Sequence, residues 1–597
     1  MPIQDAARPD SARAPSPAAT KARSLRAALL VAGGICASAW LFSFSFLSFL
    51  HVKEAALYGA MTSSALLLCL EPAAIRPALT FFFPLWLLIA LASVVHLGAH
   101  PAQVASDAVI QTVRWALLLL APAIWFDLLQ ESRWRRTLRS SIVISACGVG
   151  LMAVAQYFGL APWAFPEFPG VTQRVYSVFG NQDLLGGYMA LALPMCVFIM
   201  LRHRRLPALW MTCFTLMLGV LLLSGSRSAW LAAAVGLVTM TPYRRLRPRR
   251  AWLLLGAAMT TAALCISFAP ATTIGRAWNS FAADDVGGRA RLWFWDGSLR
   301  MIADHPLVGI GPGNYPYWSP WYLGKALDAI GGERHYHNQL LTEHPHSDPL
   351  NILAETGLVG AACALWMLWR VLRLRGPEYG GIAALLTFSL FNNVATSPPH
   401  AFAGLLFCGM LAARDPHWRE TFQKFSLTRS AALSTTALCV GLSVFWAWAV
   451  LMPSYALRTA FNAHVETGKA PLDEYACIAA HPWPNASAHE HHGMALFDDE
   501  NYEAADREFL LALRGLDTGR VHFLRGASLL KLERMEEARQ EFEKTVWRWP
   551  SFEGGWKGVW RTSPPENRAA LSARAARWGF QIGVGETGGT GNPKNRR

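Results

Sequence analysis

The sequence predicts an all-α polytopic membrane protein with a helical appendage at its C-terminal end. Three observations carry this. The 597 residues are 53% hydrophobic and only 16% charged, with the charges clustered between long apolar runs. Lys and Arg concentrate in every second connection between those runs. The polar C-terminal region repeats itself with an offset of 33 residues.

A membrane-spanning helix needs roughly 20 apolar residues. Thirteen stretches qualify as candidates: 25–50, 55–70, 79–97, 108–129, 140–160, 184–201, 208–223, 229–240, 251–268, 350–372, 380–395, 401–413 and 431–451. With Lys21, Arg23 and Arg26 placed on the inner side, the inner connections include WRRTLR, RHRR, YRRLRPRR and RVLRLR, and a last one with Arg414, Arg419 and Lys424. Of the six inner connections only 71–76 is not strongly basic, and the short outer ones are nearly free of Lys and Arg. The net charge of +14 is therefore a topology signal and excludes a nucleic-acid reading. Of ten cysteines, nine lie in apolar segments and Cys477 stands alone in the polar part, so neither a disulfide framework nor metal-ligand spacing is present.

The expected organisation is a disordered inner segment 1–24, a membrane domain 25–452 with a long outer loop 271–348, an outer helical domain 453–582, and a disordered Gly-rich tail 583–597. In the helical domain Gly493 recurs as Gly526, Tyr502 as Met535, Ala505 as Ala538 and Phe509 as Phe542. This is one residue short of the tetratricopeptide period, and such repeats form binding surfaces without chemistry of their own.

Four polar constellations fall on the outer side. Arg174 to Asp183 (RVYSVFGNQD) precedes the sixth candidate helix and includes Asn181. The turn SGSRS sets Arg227 between two apolar helices, where a lone cation is costly unless it meets an anion or water; its planar fork suits phosphate. Arg289 and Arg291 precede Trp293 and Trp295, which fit an interfacial aromatic belt. In LTEHPHSDPLNILAETGLVG, His344 and His346 stand just before a helix that Ser347 or Asp348 caps, with Pro349 in its first turn and Glu355 further in. A neutral imidazole there can take a proton near neutral pH. Arg114, inside an apolar run, is expected to pair within the bundle. No paired carboxylates for a metal are evident, so metal-independent chemistry without a cofactor is expected.

SGSRSAWLAAAVGL, RLWFWDGSLRMIADHPLVGIGPGNY and HPHSDPLNILAETGLVG occur in the order found in the O-antigen ligase and polymerase family, which the chain resembles; VFGNQDLLGGYMALALP also resembles the family's segment before the SR turn. The resemblance implies a fold similar to the C-type membrane glycosyltransferases. It implies transfer of a glycan from undecaprenyl pyrophosphate to an acceptor hydroxyl on the periplasmic face of the bacterial inner membrane. Arg227 and Arg291 would bind the pyrophosphate and His346 would serve as base, with Arg174, Asn181, Arg289, His344 and Glu355 as further substrate-binding candidates. Ser347 replaces a common Asn and Pro345 a common Ala. The leading expectation is ligation to lipid A–core. Protein O-glycosylation and chain polymerisation are alternatives with the same chemistry, and a non-catalytic transporter of lipid-linked glycan is one from another class. The repeats would recruit an acceptor or a protein partner.

Overall fold

The computed structural model describes residues 17–68, 81–97, 102–160, 174–202, 207–240, 248–269, 275, 286–329, 342–424 and 429–583. Among these every regular element is a helix. The first ten are α1 (Pro17–Trp40), α2 (Phe49–Leu68), α3 (Phe83–Leu97), α4 (Ala102–Ile124), α5 (Phe126–Gln130), α6 (Ser132–Tyr157), α7 (Gln182–Arg202), α8 (Pro207–Leu223), α9 (Arg227–Thr239) and α10 (Pro248–Phe268). Two loop helices follow, α11 (Val286–Asp304) and α12 (Tyr315–Ala329). Then come α13 (Asp348–Leu372), α14 (Tyr379–Ser389), α15 (Pro398–Ala412), the short α16 (Pro416–Lys424) and α17 (Arg429–Trp446). A wide turn at Ala447–Leu451 joins α17 to α18 (Met452–Thr467) without a break in the helix.

Each of the thirteen candidate stretches coincides with a helix, but length separates them. Four helices among the described residues are long and apolar enough to cross a membrane: Ser132–Tyr157, Gln182–Arg202, Asp348–Leu372 and Leu433–Thr467. Seven more are apolar but shorter. The remaining two, α2 and α4, carry Lys53, Glu54 and Arg114. Arg114 lies 2.9 Å from Glu54, the internal pairing expected of it. The first helix starts at Pro17, eight residues before the expected span, and ends at Trp40 rather than Leu50. Residues 1–16 and 584–597, where disorder was expected, lie outside the described residues.

Small residues hold the bundle close. α9 crosses α14 at Gly236 and Gly380, where a Cβ on either would meet the other's carbonyl oxygen at 2.7 Å. Val238, Trp252, Phe268, Leu365 and Val444 point outward at 63–76% exposure, a surface suited to lipid and not to water. At one end Glu378, buried before α14, lies 3.6 Å from Arg139 and 3.4 Å from Arg414. Arg370 donates to the Phe81 carbonyl at 2.8 Å. Three of the basic connections therefore meet at one end, as the charge pattern predicts. At the other end α7, α9, α13 and α15 begin.

The C-terminal region holds α19 (Leu472–Ala479), α20 (Ala486–Asp498), α21 (Tyr502–Ala512), α22 (Gly519–Lys531), α23 (Met535–Arg548), α24 (Glu553–Thr562) and α25 (Pro565–Arg577). Gly493 of α20 admits the ring of Phe509 of α21, and Gly526 admits Phe542 in the next hairpin in the same way. The two hairpins therefore repeat in structure as in sequence. The region does not stand free. Leu323 and Leu327 of α12 and Trp293 of α11 share one core with Phe542, Val546, Trp556 and Trp578. Gly324 lies so close to the Trp547 carbonyl that a Cβ would collide with it. Trp293 is thus 9% exposed inside a protein core, which corrects its reading as a membrane-belt residue.

Candidate active site

The site is built on the SGSRS turn. α8 ends at Leu223, Gly225 takes φ 61°, and Ser226 is the cap residue from which Arg227 opens α9. The Ser224 hydroxyl donates to Leu221 O at 2.7 Å and accepts from Ser226 N at 3.3 Å. Gly186 lets α7 sit on this turn: a Cβ there would lie 2.8 Å from the Ser224 hydroxyl. The first turn of α7 therefore lands beside Ser226.

That turn carries Asp183. Its Oδ1 accepts from Arg174 Nη2 at 3.1 Å, its Oδ2 lies 3.5 Å from Arg291 Nη2, and it shares a hydrogen bond with Ser226. Arg174 also donates from Nε to the Ser224 carbonyl at 2.7 Å, which pins it to the turn. Asn181, expected to bind substrate, accepts from the backbone N–H of Asp183 and Leu184 at 2.8 and 3.1 Å and so caps α7. Ser228, one residue past Arg227, accepts from Asn392 Nδ2 at 2.9 Å.

α11 supplies the opposite wall. Arg291 and Phe294 are three residues apart and share a face. Arg289, two residues before Arg291, projects to nearly the other side. The imidazole of His346 stacks on Phe294 with ring centres 5.6 Å apart and planes 27° apart. His346 takes φ 54°, a left-handed conformation that a non-glycine residue adopts only where its surroundings hold it. Burial and the Arg291 charge lower its pKa from 6.5, against an opposing pull from Asp183. It is therefore neutral at pH 7 and able to accept a proton. His344 is pushed down to about 3 by burial, His346 and Arg114, and its carbonyl accepts from Thr342 Oγ1 at 2.7 Å.

α13 fixes the histidine loop from below. Ser347 is its cap residue but makes no side-chain cap bond, and Pro349 lies in the first turn as expected. Asp348 instead accepts from Val394 N at 3.0 Å and Ala395 N at 3.2 Å, tying this helix start to the turn before α15. The helix expected to be continuous is interrupted at Gly357 (φ 61°, ψ −162°), a conformation that glycine alone tolerates. The loop after α11 enters the gap. Ile310 N and Gly311 N donate to the carbonyls of Ala354 and Glu355 at 2.9 Å, while Leu358 N and Val359 N donate to those of Pro306 and Leu307. Every backbone group freed by the break that these bonds reach is thus satisfied within the protein. Glu355 is buried, and its carboxylate accepts from the backbone of Gly313 and Tyr315. It braces the loop, which is a different place from the substrate contact expected of it.

The structure thus brings Arg174, Arg291 and His346 together beside the turn that carries Arg227. Asn181 and Glu355 accept hydrogen bonds from backbone N–H groups, and His344 feels the Arg114 charge. Asp183 was the residue the sequence reading passed over. Its signal was there: the one carboxylate of an apolar helix, in its first turn and nine residues after an arginine. Among the described residues no group of three or more His, Cys, Asp or Glu side chains could hold a metal ion.

The apolar helices mark an integral membrane protein, and one end of the bundle gathers arginines, one carboxylate and a neutral histidine. Residues 212–365 match the family model described as O-Antigen ligase, so the chain carries that domain and the resemblance to the O-antigen ligase and polymerase family is borne out. Such proteins are glycosyltransferase-like, with lipid-linked glycans as substrates. The matched segment holds Arg227, Arg289, Arg291, His344, His346 and Glu355, whereas Arg174, Asn181 and Asp183 precede it. No curated protein matches the chain.

Proposed function

We propose that the protein transfers a glycan from undecaprenyl pyrophosphate to an acceptor hydroxyl at the periplasmic face of the inner membrane, with lipid A–core as the acceptor. The observation that carries this is the meeting of Arg291, Arg174 and Asp183 with His346 at the bundle end remote from the basic connections. The acceptor oxygen attacks the anomeric carbon and loses its proton to His346 Nδ1 or Nε2. The bond from that carbon to the pyrophosphate oxygen breaks, and undecaprenyl pyrophosphate leaves with the electron pair. A single displacement inverts the anomeric centre. Arg227, Arg291 and Arg174 neutralise the charge that grows on the leaving group, which is where guanidinium forks are most effective.

The repeat hairpins recur at 33 residues, one short of the tetratricopeptide period, and we assign to them the capture of an acceptor or of a protein partner. Their contact with α11 and α12 supports this reading, since a partner held there would lie near the helix that carries Arg291. The test is a strain lacking the gene: loss of O-antigen from lipid A–core, with lipid-linked glycan accumulating, supports ligation. Loss of glycan from proteins, or of chain length alone, assigns another acceptor. Added EDTA is expected to leave the transfer rate of the purified protein unchanged, since the arginines carry the charge neutralisation.

A further inference from the structure

We infer that Asp183 is a resident counter-ion, displaced from Arg291 when the donor's pyrophosphate binds, and thereby a positioning residue for the transfer. The inference rests on the pyrophosphate reading above. Two guanidiniums and one carboxylate stand in contact, and the carboxylate holds both cations at once. The two contacts are unequal. Arg174 makes a hydrogen bond to Asp183 at 3.1 Å and a second one, to the Ser224 carbonyl, at 2.7 Å. Arg291 meets the carboxylate at 3.5 Å, beyond the range of a strong charge-assisted bond. Arg291 also comes from a different part of the chain, the helix after the long loop, whereas Arg174 and Asp183 flank the same helix start. The side chains of Asp183 and Arg291 are 28% and 24% exposed, so an anion can reach them.

Without a ligand, two arginines this close to one spot repel each other, and Asp183 offsets that repulsion. A pyrophosphate offers Arg291 a stronger, two-pronged partner. The exchange costs little because the pair it breaks is long and partly wet. Asp183 then keeps Arg174 and Ser226, and holds the floor of the site while Arg291 moves to phosphate. The exchange also reaches the base. The charged groups acting on His346 are Arg291 from α11 and Asp183 from α7, with neutral His344 on its own loop. Once phosphate neutralises Arg291, the opposition to a proton on His346 falls while Asp183 remains. Donor binding thus readies the base.

The experiment uses the full-length purified protein and inorganic pyrophosphate as probe, followed by steady-state kinetics with lipid-linked donor. Asp183→Asn keeps shape and removes the competing charge. It should tighten pyrophosphate binding by up to about fivefold, the scale of one partly exposed ion pair, and lower the KM for donor, yet reduce kcat by about tenfold or more, as one lost charged positioning contact does. A carboxylate that is only structural gives the opposite pattern: weaker binding and a higher KM. Equal or weaker pyrophosphate binding by the Asn variant, or an unchanged kcat, overturns the inference. Should the variant fail to accumulate, infrared difference spectra of the unmutated protein decide. Pyrophosphate is expected to shift a carboxylate stretching band, and an unshifted band overturns the exchange. If the unmutated protein does not bind pyrophosphate at all, the function reading itself falls; if it binds and the Asn variant binds no tighter, only the role of Asp183 does.

Discussion

His346 has three constraints on it: a left-handed backbone, a stack on Phe294, and a pKa lowered by burial and Arg291. The sign of that shift gives a pH prediction. A base whose pKa lies below 6.5 is neutral throughout the range above it, so kcat/KM, which reports the protein without donor, should be flat at pH 7 to 8 and fall only below 6.5, as protonation sets in. An acid limb centred above pH 7 contradicts this. His346→Ala should abolish transfer with normal protein levels in the membrane. Arg291→Ala should be severe and Arg289→Ala mild, because the two project to different sides of α11; a reversed order in the same complementation assay would move the anion site to the other face. Arg227→Lys should be strongly impaired, since Lys keeps the charge and loses the fork. The sequence located most of these residues because chemistry-bearing types stood out against apolar surroundings. It did not reveal the backbone partners of Asn181 and Glu355, for a physical reason. A polar side chain satisfying backbone N–H groups and one awaiting a substrate look alike until the partners are known. Asp183 went unassigned because a first-turn carboxylate also has an ordinary reading as a helix-end charge.

Among the elements, the broken α13 and the docked α12 decide whether the site is assembled. Gly357→Ala would force a Cβ into a glycine-only conformation and against the Leu307 backbone. It is expected to cost about 1–3 kcal/mol and to loosen the loop, read as faster hydrogen exchange at 306–311. Gly324→Val would drive a side chain into the Trp547 carbonyl. The expected outcome is separation of the repeat region from α12 and lower transfer, with the membrane helices intact by circular dichroism. A variant with full activity would mean that docking is dispensable. The repeat hairpin α22–α23 makes its own pH prediction. Burial works against Glu541, but hydrogen bonds from His522 and Lys544 and the Arg525 charge outweigh it and hold Glu541 at about 2. A carboxyl whose pKa is depressed on folding contributes stability above its ordinary 4.5 and loses it as pH falls toward 2. Acid melting of this region should therefore begin below pH 4.5. None of the docking was legible from the sequence, because Trp293 beside a membrane segment and Trp293 in a core have the same local pattern. The helix break was hidden too, since one glycine in an apolar run reads as helix.

Across the whole molecule, the structure gathers three of the basic connections at one end. Arg139, Arg370 and Arg414 meet at one end, and the site lies at the other. The positions of all thirteen apolar stretches were legible, whereas the number that cross the membrane was not, because hydropathy does not reveal that α9 and α14 are only 13 and 11 residues long. Cys477, exposed on α19, reports which side the repeat region occupies. An impermeant maleimide should label it in cells with a permeabilised outer membrane and an intact inner one. Labelling only after the inner membrane is broken would reverse the threading and remove the repeats from the acceptor's side.

The proposed reaction breaks the bond between a glycan and a lipid pyrophosphate and makes one to an acceptor hydroxyl. The most direct measurement reconstitutes the purified protein in liposomes with glycan-loaded undecaprenyl pyrophosphate and lipid A–core, and follows both lipids by mass spectrometry. Glycosylated lipid A–core and free undecaprenyl pyrophosphate are expected to appear together in equal amounts, and His346→Ala to stop both. Donor that crosses the bilayer with its glycan still attached, at the same rate in the His346→Ala protein, would contradict it.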